Sequence, residues 1–408
     1  HNVREGFHAL YPLVKYRSSG RARELAEASI AAVLEYFVPR GRWDAGRMER
    51  EHGVQVDDDR TVVEGVGRCI GPLVKYFRVT GSGQALELAG ALKEKLVSEV
   101  YLEDGSYDKE RFGPHVHSTT CVMSSLAQLA DLTRDRSLLG RVKAFFDNGL
   151  WELRDETGWS IESARFDESR ADEGEMNNTG DILETALILG RWGYSEYYQD
   201  AERILRCHLL PSQLRDVSWI RDPENPDGSD HLRDVRNRIR GSWGFPAPYG
   251  HEPIGNRFLR FNTDVVGGST GSLCEALREA VRFDESGHRV NLLFDHENGQ
   301  VRVKSPYTHG SLSVRVKKPA PLFVRIPSRV SREEVRVEGI AGKPGWSNGY
   351  LLIAEPPVNR EIAIDFPLAE EEIEMKHRTR DIRVRLRGDE VAAMDSFGAD
   401  VTFFDEFG

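Results

Sequence analysis

Apolar residues recur at helical spacing through the longer, N-terminal part of the chain, from about Arg21 to Phe283. Residues three or four positions apart share one face of an α-helix, so such stripes predict helices that pack against other helices. Two clear stripes are Val66, Ile70, Leu73, Val74 and Phe77, and then Val122, Leu126, Leu129 and Ala130. The pattern predicts a helical region.

Short breaks divide this region into helical pairs. Residues 79–82, 132–135 and 192–195 each end one helix and begin another, at a period of about 50 to 60 residues. Residues suited to helix starts are Ser82, Asp135 and Ser195 as N-caps, and Thr61 with Glu64 as a capping box. We therefore predict a repeated αα-hairpin.

The connections between these hairpins are long. They cover about 39–60, 101–116, 151–178 and 211–268, whereas most connections between helices have only a few residues. If short and long connections alternate strictly, the long loops lie at one end, with the helix N-termini near Thr61, His117, Thr179 and Ser269. Free N–H groups at helix N-termini favour bound oxygens or anions. The topology therefore predicts a site walled by loops.

After about Asp284 the period of the apolar residues changes to two, which is typical of strands. Examples are Val314/Val316, Val335/Val337, Ile362/Ile364/Phe366 and Ile382/Val384/Leu386. We predict two domains, a helical domain over 1–283 and an antiparallel β-sandwich over 284–408.

Charge and composition exclude several functions. The chain has 408 residues and a formal net charge of −11, which argues against a nucleic-acid partner because such partners usually require a basic face. An acidic polysaccharide would be repelled too, except where arginines cluster locally. No apolar run approaches the roughly 20 residues of a membrane span, and residues 1–15 lack a signal-peptide core. We therefore expect a cytoplasmic protein without a membrane partner.

The four cysteines lie far apart in helical patterns and form no Cys-x-x-Cys pair: Cys69, Cys121, Cys207 and Cys274. We interpret them as small core residues and expect neither a metal site nor a cofactor.

Two further motifs could suggest a ligand. Asp57, Asp58 and Asp59 are interpreted as favourable charges before a helix N-terminus rather than as a cation site. The glycine-rich stretch 267–272 lacks the Gly-Lys-Ser/Thr ending of a phosphate loop, so we do not expect it to bind a nucleotide.

The segments 158–162 and 174–181 combine carboxylates, amides and an aromatic residue before a helix start. Cleavage of a glycosidic bond needs a proton donor and, opposite it, a base or nucleophile. Glu162 with Glu175 or Asp264 could supply that pair, although loops are generally rich in carboxylates. Trp159 could stack on a sugar or pack within its loop.

Further residues are candidates for binding sugar. His117 and Ser118 stand where a long loop meets a helix, so they either bind substrate or cap that helix. Asn177 and Asn178 follow Glu175 directly. The loop 211–268 carries Trp243 and Tyr249, in a composition suited to a sugar-binding lid or to a loop packed over the helices.

At these residues the chain resembles the β-L-arabinofuranosidases of glycoside hydrolase family 127. The resemblance lies in His117-Ser118 before the segment 126–129, in the Gly158-Trp159 to Glu162 element, in Gly174-Glu175, and in the later segments 200–210, 290–293, 305–307, 324–327 and 386–389. It implies a helical toroid of the six-hairpin glycosidase type, followed by an antiparallel β-sandwich. It also implies a carbohydrate substrate, places Glu162 near the family's acid/base glutamate, and leaves a homodimer through the sandwich open.

The chain departs from this family at its zinc site. The family holds zinc with a glutamate and three cysteines, one of them the nucleophile. Glu175 matches the glutamate, but Asn177 and the pair Gly267-Gly268 stand at the cysteines. Since amides and glycines supply no thiolate, we predict a metal-free glycosidase with two carboxylates. The alternatives are a sugar-binding relative without activity, and a lyase or epimerase with two histidines facing each other, from among His115, His117 and His251.

Overall fold

The structure is a computed structural model that describes residues 2–56, 60–254, 260–261, 263–378 and 380–407. The aspartates at 57–59 and the side chain of Asp264 lie outside the described residues. The chain forms two compact units, the first made of residues 1–154 and 160–166, the second of 155–159 and 167–408. The domain boundary near residue 284 stays a prediction.

The first unit is built from three helical hairpins with short helices in their connections. Its helices are α1 (Asn2–Arg17), α2 (Gly20–Tyr36), α3 (Ala45–His52), α4 (Ile70–Thr80), α5 (Gly83–Glu99), α6 (Lys109–Phe112), α7 (Val116–Thr133) and α8 (Arg136–Asp147). The pairs α1/α2, α4/α5 and α7/α8 are each joined by two residues, and α4 packs against both α1 and α7. The stripes of large apolar residues, such as Ile70 and Leu73, are fully buried in these contacts.

The predicted helix start at Thr61 is wrong. Thr61 Oγ1 accepts the N–H of Glu64 at 3.2 Å, as a capping residue would. However, the Glu64 carboxylate accepts the N–H of His115 at 3.2 Å, and the chain makes a 3-10 turn over Val66–Cys69 before α4 begins at Ile70. The Glu64 side chain thus binds a remote backbone N–H instead of the local N–H of Thr61, which a capping box would require. Asp135, by contrast, caps α8 through the N–H of Leu138 at 3.0 Å.

The second unit contains the remaining helices and all the strands. Its helices are α9 (Met176–Arg191), α10 (Glu196–Ile204), α11 (Val235–Arg238), α12 (Thr263–Ala280) and α13 (Pro306–His309). α9 packs against α10 and α12. The approach of α9 to α12 is close, since a Cβ at Gly180 would lie 2.5 Å from Ser272 Oγ. A π-helical turn over Leu205–Leu209 continues α10.

The strands form two five-stranded sheets and one three-stranded sheet. They are β1 (Val281–Asp284), β2 (Gly287–Val290), β3 (His296–Glu297), β4 (Val301–Lys304), β5 (Leu312–Val316), β6 (Leu322–Arg325), β7 (Arg336–Glu338), β8 (Gly345–Ser347), β9 (Tyr350–Ile353), β10 (Glu361–Asp365), β11 (Glu370–Lys376), β12 (Asp381–Arg387) and β13 (Glu390–Met394). The strand orders are β1-β2-β6-β9-β8, β3-β4-β5-β10-β7 and β11-β12-β13. All pairs are antiparallel except β2 with β6.

The period-two prediction holds in the buried faces. Val314, Val316, Ile362 and Ile364 are fully buried in the core that the two larger sheets share. The third sheet has its own core, in which Ile382 and Val384 pack with Cys207 of the π-helical turn and with Tyr249. This separate small sheet is an addition to the predicted sandwich.

The cysteines are free thiols, and Cys69, Cys121 and Cys207 are buried as expected. Cys274 is exposed on α12, so its interpretation as a core residue is wrong. Among the described residues, no helix combines the length and the apolar character that crossing a bilayer requires.

A buried carboxylate connects α10 to the strands of the second unit. Glu202 is fully buried, accepts from Arg206 Nε at 3.0 Å and from the N–H of Leu293 at 3.1 Å, and is also paired with Arg325 of β6. Burying charges is unfavourable unless they are paired and hydrogen-bonded. Removing the carboxylate would leave Arg325 without its opposite charge, whereas Arg206 keeps Glu390 at 2.9 Å.

We expect Glu202→Gln to lower the free energy of unfolding by about 3 kcal/mol, near the lower end of what breaking a buried pair removes. Urea denaturation followed by circular dichroism measures this loss. The matched control is Glu361→Gln, since Glu361 pairs with Lys304 and Arg315 on the surface, where a loss below about 1 kcal/mol is typical. Equal losses in the two variants would contradict the role of Glu202.

A buried histidine makes the second unit sensitive to acid. His208 lies in the π-helical turn, is 1% exposed, and its Nδ1 has no hydrogen-bond partner among the described residues. Burial lowers the pKa of His208 to about 3, and the nearby His251 adds to this shift. Between about pH 6.5 and this value the unfolded chain binds more protons than the folded chain, so stability falls as the pH is lowered.

We expect the wild-type chain to lose stability more steeply than His208→Gln between about pH 6 and pH 4, by about 1.4 kcal/mol per pH unit. The measurement is the free energy of unfolding at a series of pH values. His231→Gln removes an exposed histidine and should leave the slope of the wild-type chain unchanged. A slope that His208→Gln does not alter would show that His208 is not a source of the acid sensitivity.

Candidate functional site

Glu162 and His117 are brought to neighbouring backbone segments of the first unit. The segment of Glu162 runs antiparallel to the residues just before α7, with a bridge between Ser163 and His115. The N–H of Val116 donates to the carbonyl of Glu162 at 3.2 Å. Glu162 is half-buried, and His117 in the first turn of α7 is 2% exposed. The structure thus brings these two predicted residues together.

His117 does not cap its helix. His115 is the N-cap residue of α7, and its Nδ1 lies 2.8 Å from Ser118 Oγ. Arg68 Nη2 donates to His117 Nδ1 at 3.4 Å, so this nitrogen acts as an acceptor. The ring of His115 meets the ring of His117 edge to face, at 5.8 Å between centroids. His115 therefore occupies the N-cap position, and no side chain caps α7 among the described residues.

The surroundings of His117 are rich in positive charge. Arg68 is 2% exposed and lies 4.0 Å from the carboxylate of Glu5, which also pairs with Arg4 at 2.7 Å. Burial lowers the pKa of the nearby His8 to about 2, and Arg4, Lys75 and Arg68 contribute to the shift. Local positive charge of this kind favours oxygen-rich or anionic groups.

Glu175 and Asn177 form the start of α9 in the second unit. Glu175 is the N-cap residue, and Asn177 Nδ2 donates to its Oε1 at 3.0 Å. The segment is held by the loop before α12, because the N–H of Gly174 binds the carbonyl of Pro246 at 3.1 Å and the N–H of Met176 that of Gly244 at 3.2 Å. Glu175 and Asn177 are each 5% exposed. Asn178 is fully buried in the same turn.

Asn177 also occupies the space beside Gly268 of α12. A Cβ at Gly268 would overlap Asn177 Oδ1, so the two positions are in direct contact, as the resemblance to family 127 implies. A carboxylate, a neutral amide and a glycine do not form a thiolate-rich zinc site, and the Asn177 side chain fills the space into which a cysteine at 268 would project. These residues do not fit the zinc of that family.

The aromatic candidates of the second unit are enclosed. The indole N–H of Trp159 binds the carbonyl of Pro246 at 2.9 Å, and its ring lies 4.9 Å from that of His377. The indole N–H of Trp243 binds the carbonyl of Leu209 at 2.8 Å. Trp159 and Trp243 are 3% exposed and Tyr249 is 1% exposed, so a sugar could stack on these rings only if the surrounding loop moved.

Asp172 is a central polar residue that the sequence analysis missed. Its carboxylate accepts from the Tyr249 hydroxyl at 2.5 Å, lies 2.8 Å from His377 Nε2, and is paired with Arg380. Burial opposes ionisation of Asp172, but the hydrogen bonds from His377 and Tyr249 outweigh it and lower the pKa of this carboxyl group. Its partners are far away in sequence, and no local motif marks them.

The remaining candidate, Asp264, lies in the first turn of α12, but its side chain is outside the described residues. Glu162 and His117 thus belong to the first unit, and Glu175, Asn177, Asn178, Trp159, Trp243 and Tyr249 to the second. The catalytic pairing of Glu162 with Glu175 or Asp264 stays a prediction.

Solved structures of glycoside hydrolases share this fold. No family model and no curated protein matches the chain. A glycoside hydrolase is similar with a TM-score of 0.56 and 13% identity, over 95% of this chain and 76% of its own. A GH127 β-L-arabinofuranosidase from Geobacillus stearothermophilus T6 is similar with a TM-score of 0.52 and 15% identity, over 94% and 75%. Another GH127 β-arabinofuranosidase has a TM-score of 0.51 and 14% identity, over 95% and 74%.

At these identities the likeness concerns the fold alone. The predicted fold class, helical hairpins of the toroid type followed by a β-sandwich, is confirmed by the order of the elements and by these similarities. The chain shares its fold with the GH127 structures and has Asn177, Gly267 and Gly268 at the positions where the resemblance implies cysteines.

We expect Gly268→Ala to lower the free energy of unfolding by about 1–3 kcal/mol, the usual effect of overpacking, because its methyl group would collide with Asn177 Oδ1. The variant Asn177→Ala, combined with Gly268→Ala, should recover part of this loss. Gly267→Ala is the control, since a Cβ there meets nothing within 4 Å. Thermal denaturation of these proteins, the single variant Asn177→Ala and the wild type measures the effect, and additive losses in the double variant would contradict the contact.

Proposed function

We propose that the protein is a glycoside hydrolase that cleaves a glycosidic bond of an oligosaccharide or polysaccharide. The observation that carries the proposal is the pairing of the Glu162 segment with the start of α7, which brings the half-buried Glu162 and the segment of His117 side by side. The fold shared with glycoside hydrolases supports the same class of reaction.

In this proposal Glu162 is the general acid that protonates the leaving oxygen. Its half-buried position leaves the carboxyl group open to a bound substrate. His117 is proposed to bind a sugar hydroxyl, because its acceptor nitrogen Nδ1 is already engaged by Arg68 and its second nitrogen is then a donor. Both roles use only residues of the first unit.

Glu175 or Asp264 is proposed to position the water that attacks the anomeric carbon. With a water nucleophile the reaction would invert the configuration at that carbon. Asn177 would hold Glu175 in place through the hydrogen bond from Nδ2, and Asn178 and Trp159 would support the same turn. No step in this scheme uses a thiolate or a metal ion, because residues 177, 267 and 268 supply no sulfur ligand.

A sugar-binding protein without activity is the second candidate. The observation in its favour is the bond between Asn177 and Glu175, which engages one oxygen of a carboxylate that a hydrolase would use on water. In that case the same residues would bind oligosaccharide without cleaving it.

Two histidines that face each other across the substrate would point to lyase or epimerase chemistry. His115 and His117 instead touch edge to face at the start of one helix. His251 belongs to the second unit, where its ring packs on Phe403 at 4.8 Å and on Trp219 at 5.8 Å. These contacts favour the hydrolase over this third candidate.

We expect Glu162→Gln to lower the turnover of an aryl glycoside or oligosaccharide substrate by about 10²–10⁴-fold, the usual contribution of a general acid. Substrate binding should be retained. Glu168→Gln removes an exposed carboxylate from the same loop and should leave turnover unchanged. A panel of aryl glycosides and oligosaccharides, with and without chelator, supplies the assay.

Each result of this assay has a defined meaning. Release that chelator does not affect and that Glu162→Gln abolishes supports the proposal. Unchanged turnover in Glu162→Gln would remove Glu162 from the acid role. No release across the panel, with binding still detected by calorimetry, would instead support the sugar-binding protein.

A further inference from the structure

Two residues of the turn before α4 are bonded to the backbone that leads into α7. Thr61 Oγ1 donates to the carbonyl of Phe112 at 3.2 Å. Glu64, which is half-buried, accepts the N–H of His115 with Oε1 at 3.2 Å. The turn at 61–64 therefore holds the segment 112–115 at both of its ends.

Gly113 lets the Glu64 side chain come close to this segment. The φ of 81° and the ψ of 168° at Gly113 belong to a region that is essentially restricted to glycine. A Cβ at Gly113 would lie 2.5 Å from Cδ of Glu64, whereas carbon atoms pack at about 3.5–4.0 Å. Both the backbone conformation and the space at residue 113 are thus matched to the carboxylate.

One end of the segment is anchored in a group of aromatic residues. Phe112 is fully buried, and its ring lies 4.9 Å from that of Phe145 and 5.1 Å from that of Tyr101. Aromatic pairs at such distances stabilise a core beyond the area that they bury. With Phe112 held in this way, the bond between Glu64 and His115 fixes the other end of the segment.

The backbone around Glu162 is bonded to the same short stretch of chain. The N–H of Val116 donates to the carbonyl of Glu162 at 3.2 Å, and the N–H of Ala164 donates to the carbonyl of Pro114 at 2.8 Å. Residues 113–116 are therefore bonded to Glu64 and to the segment of Glu162 at once. All of these residues belong to the first unit.

We propose that Glu64 is a positioning residue for Glu162. By accepting the N–H of His115, it holds residues 113–116 in the place to which the backbone of Glu162 is bonded. The inference rests on the proposed hydrolase activity, in which Glu162 is the general acid. A general acid must lie within hydrogen-bond reach of the leaving oxygen, and a misplacement of about 1 Å can cost about 10²-fold in rate.

The first test compares two substitutions of Glu64 in the full chain. Glu64→Met keeps an unbranched side chain but removes the acceptor, whereas Glu64→Gln keeps an oxygen that accepts the N–H of His115. We expect Glu64→Met to lower kcat by about 10–10²-fold with little change in KM, and Glu64→Gln to restore most of the wild-type kcat. A purely structural role would not separate kcat from KM in this way.

Hydrogen exchange, measured by mass spectrometry on peptides that cover 112–118 and 160–166, is a readout that does not need activity. Glu64→Met should speed exchange in both peptides by about five-fold, the scale of one lost hydrogen bond, and Glu64→Gln should not. Thr61→Val removes the bond to Phe112 and should speed exchange in the same peptides, so it replaces Glu64→Met if that variant does not fold. The matched control is Glu110→Met, which removes an exposed carboxylate of the same connection and should change neither readout.

The two readouts distinguish this inference from the proposed function. Faster exchange in 160–166 together with the loss of kcat in Glu64→Met supports the positioning role. If the wild type cleaves no substrate, the hydrolase proposal fails, and exchange alone decides whether Glu64 holds the segment of Glu162. The role of Glu64 would be overturned by unchanged exchange in 160–166, by an unchanged kcat, by a Glu64→Gln variant as impaired as Glu64→Met, or by an equal effect of Glu110→Met.

Discussion

The close approach of α9 and α12 is the constraint on which the candidate site of the second unit depends. Gly180 lets α12 come near enough for Ser272 to contact the backbone of α9, and Gly268 provides the room that Asn177 occupies. Larger residues at these glycines would separate the helices and shift the first turn of α9. That turn carries Glu175, so the position of the carboxylate follows from the absence of side chains on the facing helix.

The buried ionisable groups of the second unit are of two kinds, paired carboxylates and a neutral histidine. Glu202 and Asp172 lie at the centres of hydrogen-bonded groups, where two basic partners surround each carboxylate, and the hydrogen bonds to Asp172 lower its pKa. His208 has no such partner for its Nδ1 among the described residues and stays neutral. Paired carboxylates fix the contacts of α10 and of the third sheet, whereas the neutral histidine limits the range of pH over which those contacts persist.

The sequence could predict those parts of the fold that local periodicity determines. The hairpins around 81–82 and 134–135 follow from helical stripes and cap residues, and β5, β10 and β12 follow from alternating apolar residues. The helix start at Thr61 failed because Glu64 binds His115, which is remote in sequence. The parallel pairing of β2 with β6 depends in the same way on contacts that no local pattern records.

In the candidate site, too, residues of one segment could be predicted together, whereas contacts between residues remote in sequence could not. Glu175, Asn177 and Asn178 share one segment, so the sequence could single them out together, whereas Asp172 was missed because His377 and Arg380 reach it from the third sheet. Trp159, Trp243 and Tyr249 stay candidates, and their burial could not be foreseen, since each hydrogen-bonds to a residue far away in sequence.

Asn177 and Gly268 fit together across the facing helices. The amide fills the space that the glycine leaves and donates from Nδ2 to Glu175 at 3.0 Å, so it helps to hold the carboxylate at the start of α9. Because the donor is a neutral amide, it orients the carboxylate without placing a charge beside it.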